Sequence, residues 1–159
     1  MKISTTTTDA LELLREHERA LSRLYRTYAE CFAGQSEFWL RLAAEEDEHA
    51  EWLGSLRLRL EDGESARLAD RFPVAAIEHS LVYVNKLIAN AHTSGITLLR
   101  ALSVALDLEE ALLESRYFEV CECDSPELKH MLEKLTQSTH AHLAAIRNAW
   151  QTTRETCES

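Results

Sequence analysis

Little in this sequence breaks a helix. Its 159 residues include two prolines and four glycines, and no Asn-Gly or Asp-Gly pair stands between alternating strands. A β-sandwich or barrel needs such turn signals at regular intervals, so their scarcity points to an all-α chain. Cysteine is also sparse. Cys31, Cys121, Cys123 and Cys157 form no Cys-x-x-Cys pair, which excludes a zinc-ribbon or rubredoxin-type site. Cys121 and Cys123 would stand about 200° apart on a helix, too far round to share an ion. Positive charge is outnumbered: 17 Lys and Arg against 27 Asp and Glu give a net charge of -10. Nucleic acids and acidic membranes require a basic footprint, so neither is an expected partner. No apolar run approaches the ~20 residues that span a bilayer, and the polar N-terminus lacks a signal-peptide apolar region. The expected location is the cytoplasm. The chain contains no Gly-x-Gly-x-x-Gly, P-loop or Gly-x-Ser-x-Gly motif, which removes the usual basis for nucleotide binding or serine-nucleophile chemistry.

What remains is apolar sequence in helical register. Hydrophobic residues make up 45% of the chain, enough for one domain with a core. The pattern predicts helices over about 8–33, 37–62, 73–91, 95–123 and 126–150. Gly34 and Gly63 are the expected stops of the first two. Ser36 is the expected cap of the second, and Ser125-Pro126 opens the last with proline at its first helical position. Two short links and one long crossover, with a short extra helix inside the crossover, are the connectivity of a ferritin-like four-helix bundle.

Apolar residues spaced alternately by three and four place a stripe on each long helix. The stripes read Leu11, Leu14, Glu18, Leu21, Tyr25, Tyr28; then Trp39, Leu42, Glu46, His49, Leu53, Leu56; then Leu99, Leu106, Glu110, Leu113, Tyr117; then Leu135, Thr139, His142, Ile146. Each is interrupted near its middle by polar groups. Three carboxylates and two imidazoles would therefore meet in the core. Buried carboxylates need compensation, which divalent metal ions supply. Glu46 and His49, at i and i+3, can reach one ion together. The run from Ala43 to Leu53 thus divides by face: Glu46 and His49 inward, Glu45, Asp47, Glu48 and Glu51 to solvent. The opposite placement would expose Trp39 and Leu53. On the third stripe Glu109 competes with Glu110. A weak repeat favours Glu110, because Glu18 precedes Tyr25 by seven residues and Glu110 precedes Tyr117 by seven.

Glu18…Tyr25, the segment "EEDEH", Glu110…Tyr117 and His142 together make the chain resemble the rubrerythrin-like branch of the ferritin-like superfamily. The resemblance covers nearly all of residues 8–150. It implies Glu18 and Glu110 as terminal ligands, Glu46 as a bridging ligand, and His49 and His142 as the histidine ligands. The cofactor it implies is a pair of iron ions, with manganese or a single metal as alternatives. The activity it implies is reaction with peroxide or O2, in peroxide detoxification or iron oxidation. Partners would be Fe2+, peroxide or O2, and an external electron donor, since no rubredoxin-type domain is present. Tyr25 and Tyr117 are expected as core aromatics whose hydroxyls find partners, and a place beside the metals is the alternative for them and for Thr139. Thr139 departs from the family pattern, because it occupies the place of a second bridging carboxylate. A non-enzymatic, mono-metal or regulatory bundle is therefore the alternative reading. Assembly as a homodimer is compatible with either.

Overall fold

The computed structural model describes residues 7–59, 74–116 and 126–158. Among them are five α-helices and no strands: α1 (Thr7–Cys31), α2 (Ser36–Arg59), α3 (Val74–Asn90), α4 (Leu98–Arg116) and α5 (Pro126–Glu158), with a 3-10 turn at Ala33–Gln35 between the first two. The all-α expectation holds. The longest packing seams run between α1 and α2 and between α4 and α5; α3 lies along α1, and α2 faces α5.

The stripes on α1 and α2 form much of the core, which Leu102, Leu135 and Ile146 of α4 and α5 join. Leu11, Leu14, Leu21, Tyr25, Tyr28, Trp39, Leu42, Leu53 and Leu56 are all buried. Trp39 is the hinge of this seam, with its ring 5.0 Å from Tyr28 edge-on and 5.6 Å from Tyr25. Such aromatic contacts contribute about 0.5–1.5 kcal/mol each beyond the area they bury. On the outer side, Arg26 pairs with Asp47 across the same two helices.

Three boundaries differ from the sequence expectation. Gly34 does not terminate α1 through a left-handed turn; the helix ends at Cys31, and Gly34 sits inside the 3-10 link. Gly95 does not open α4. It takes φ 64°, a left-handed conformation that belongs to the preceding turn, and the helix begins after Thr97, whose Oγ1 accepts from Arg100 N at 3.2 Å. α5 continues past Trp150 to Glu158. No glycine or proline interrupts that extension, and Trp150 Nε1 donates to Ser103 Oγ at 3.0 Å, holding it against α4. The expected helix ends at 60–62 and 117–123, with Tyr117, Cys121, Cys123 and Ser125, lie outside the described residues. No helix among the described residues is long and apolar enough to cross a membrane.

Candidate metal centre

Six polar side chains from four helices lie buried on the inward faces at mid-bundle: Glu18, Glu46, His49, Glu109, Thr139 and His142, each 1–2% exposed. Their helical registers explain the meeting. Glu18 sits between Leu14 and Leu21, Glu46 between Leu42 and Leu53, and His142 between Leu135 and Ile146, so the packing that buries the leucines carries the polar groups in with them.

The third stripe is the correction. Glu110 points outward and pairs with Arg147 at 3.2 Å, with both side chains about half exposed. Glu109 is the inward acid. The buried residues of α4 are Ala101, Leu102, Val104, Ala105, Leu108, Glu109 and Leu112, with Ala105, Glu109 and Leu112 each one residue before the expected Leu106, Glu110 and Leu113. Alanine carries little apolar surface, so Ala101 and Ala105 weaken the stripe signal, and the tyrosine spacing points one residue too far along the helix.

Two sets of ligand-capable atoms result. Glu18, Glu46 and His49 form one, and Glu46, Glu109 and His142 form the other, with the atoms of each set all within 4.8 Å of one another. Such a group could hold a metal ion. Glu46 belongs to both. Its two oxygens divide between the histidines: Oε2 is 3.1 Å from His49 Nδ1, and Oε1 is 2.9 Å from His142 Nδ1. The two imidazoles stack at 5.4 Å with a 23° angle between planes.

The outer nitrogens are also partnered. His49 Nε2 lies 2.7 Å from Ser138 Oγ, and His142 Nε2 lies 2.5 Å from Glu45 Oε2. A carboxylate accepts from the imidazole, so Glu45 engages Nε2 of His142 and leaves Nδ1 facing Glu46 and Glu109. Sequence reasoning missed both partners. Glu45 was placed with the solvated residues, yet its half-exposed side chain reaches from α2 to α5. No periodicity reports such a contact, because it depends on the distance between two helices.

The electrostatics match a site built around positive charge. Burial raises the Glu46 pKa well above the usual carboxylate range, and the charges of Glu109 and Glu18 raise it further, with His142 opposing. Burial alone would lower His142; contact with Glu109 and Glu46 overcomes this and pushes its pKa up to about 11. Tyr25 donates to Glu109 Oε1 at 2.7 Å, and burial followed by the charges of Glu109 and Glu46 holds its hydroxyl well above the usual tyrosine range. The ion pairs of Glu46 and Glu109 among the described residues are with histidine alone.

The donor set fits a metal. Glu46 Oε1, Glu109 Oε2 and His142 Nδ1 are buried without a hydrogen-bond partner, and the 2.9 Å approach of Glu46 Oε1 to His142 Nδ1 lacks hydrogen-bond direction. Neighbouring ligand atoms around an ion with bonds of about 2.1 Å stand about 3 Å apart, so this separation is compatible with a shared cation. Thr139 brings no charge. Its Oγ1 donates to Leu135 O at 2.8 Å, within its own helix. His17, one residue before Glu18, faces elsewhere and meets Ser80 at 2.8 Å, tying α1 to α3.

Compared with models of known families, with curated proteins and with solved structures, the chain finds no match.

Proposed function

We propose that this chain is a ferritin-like bundle holding two metal ions, iron first and manganese second, on a single bridging carboxylate, and that it reacts with peroxide or O2. The observation that carries this reading is Glu46, whose two oxygens face two separate histidines. Glu18 and His49 would complete one position, and Glu109 and His142 the other. When bound, two ferrous ions supply one electron each to the O–O bond of the oxidant. The chain's own residues do the rest. Glu45 and Ser138 orient the imidazoles, Tyr25 holds a proton at Glu109 Oε1, and the surrounding leucines exclude water. Re-reduction would come from an external electron donor. Peroxide removal and iron oxidation are the roles this chemistry serves.

The test is an anaerobic Fe2+ titration of the full chain followed by peroxide under optical monitoring. Two ions per chain, oxidised by peroxide, support the reading. Failure to retain iron or manganese, or iron that stays ferrous in peroxide, overturns it.

A second reading has one observation in its favour. Thr139 supplies no anion, so three carboxylates balance only three of the four charges on two divalent ions. A single metal on Glu18, Glu46 and His49 would then stabilise or regulate the bundle without turnover. One ion per chain in the same titration, with no oxidation by peroxide, selects it.

A further inference from the structure

A cavity of about 420 Å³ opens between α3 and α4, on residues that take no part in the metal centre. Its lining is mostly apolar, with Tyr83, Leu87, Ile96 and Val104, and includes the polar Asn90 and Ser94. Lys86 on α3 and Arg100 on α4, both exposed, also line it. Its size is within the range of small-molecule sites, about 300–1,000 Å³.

One further observation bears on the occupant. Among the described residues, neither Lys86 nor Arg100 has a carboxylate partner, whereas Arg15, Arg26, Arg57 and Arg147 each do. In a chain of net charge -10, two such cations beside one cavity are groups that an anion would use.

From the apolar lining and the two cations, we infer that this cavity binds a small organic anion, a carboxylate carried on an apolar tail. The tail fills the space between Leu87, Ile96 and Val104, and the carboxylate takes charge-assisted bonds from Lys86 and Arg100. A neutral molecule of the same shape would leave both cations unused. An anion without a tail would leave the apolar interior wet.

Calorimetry on the full chain tests this, with decanoate below its micellar range, decanol and inorganic phosphate as the three probes. Decanoate is expected to saturate at one per chain, with decanol and phosphate each at least about tenfold weaker. Lys86→Ala and Arg100→Ala are surface changes that leave the fold intact; each is expected to weaken decanoate about tenfold, and added salt to weaken it further. Equal binding of decanoate and decanol, or decanoate affinity unmoved in both variants, overturns the proposal. So does sedimentation of the free protein as a dimer that Arg100→Glu dissociates, since a second copy would then cover this face. Metal loading shares no residue with the cavity, so neither result depends on the metal reading.

Discussion

Tyr25 on α1 donates a 2.7 Å hydrogen bond to Glu109 on α4, joining the first helical pair to the second through a carboxylate at the core. The bond identifies which of two adjacent acids belongs to the centre. Glu109→Gln is expected to reduce iron retained after anaerobic loading by one equivalent per chain, and Glu110→Gln to leave it unchanged. Metal analysis after gel filtration checks both. Loss on Glu110→Gln instead would restore the assignment that tyrosine spacing favours.

The helices and the burial of four of the five expected site residues were legible because large apolar residues flank them. Leu14 and Leu21 around Glu18, and Leu42 and Leu53 around Glu46 and His49, leave only one inward face. α4 was misread by one position because its buried face relies on Ala101 and Ala105, which scarcely differ from surface residues in a hydropathy pattern. Glu45 was misread for a different reason. Its contact with His142 spans 97 positions in the chain and depends on how closely α2 approaches α5. Periodicity reports the face of a residue, and cannot report the reach of a long side chain across a seam.

Tyr25→Phe removes the donor to Glu109 and leaves a buried carboxylate short of a partner. The metal-free protein is expected to lose about 1–3 kcal/mol in urea unfolding. A bound cation would compensate Glu109 directly, so the same substitution should cost less after metal loading. Equal losses in the two forms would place Glu109 outside the metal's reach.

Stability of the metal-free protein should fall as pH rises. The folded-state pKa of His142 is raised from 6.5 to about 11, so its contribution is fully present below about 6.5 and lost as pH climbs through the folded value. Glu46 acts in the same direction, because its pKa too is raised above the ordinary 4.5. A metal must displace these protons, so its affinity should rise with pH and binding should release protons. Calorimetry in buffers of differing ionisation enthalpy measures the release. A melting temperature that is flat from about pH 6 to about pH 9 would contradict the coupling.

Glu45→Ala deletes the acceptor at His142 Nε2 without touching a ligand. Removing such an orienting group typically costs about 10- to 100-fold in metal affinity. The loss should fall on the ion nearest His142 and spare the one on Glu18 and His49. Glu48→Ala, on the exposed side of the same helix, is the control and should change neither. Equal effects from both would mean that Glu45 acts only through surface charge.

Thr139 stands three residues before His142, as Glu46 stands three before His49, so a carboxylate there would complete the pattern on α5. Thr139→Glu supplies the fourth negative charge that two divalent ions require. In the metal-free protein it adds a buried acid beside Glu18, Glu46 and Glu109, and the melting temperature should drop by several degrees. In the loaded protein the order should invert, with the second ion bound at least about tenfold more tightly than in the parent. Thr139→Val separates this charge effect from loss of the hydroxyl. It removes only the bond to Leu135 O within one helix and should leave both stability and metal content near the parent values. If the parent holds one ion and Thr139→Glu holds two, the single-metal reading describes the natural chain and the missing carboxylate is its cause. If both hold two, Glu46 alone is a sufficient bridge. If Thr139→Glu loses metal as well as stability, position 139 does not face the ions, and the centre is confined to the two sets that share Glu46.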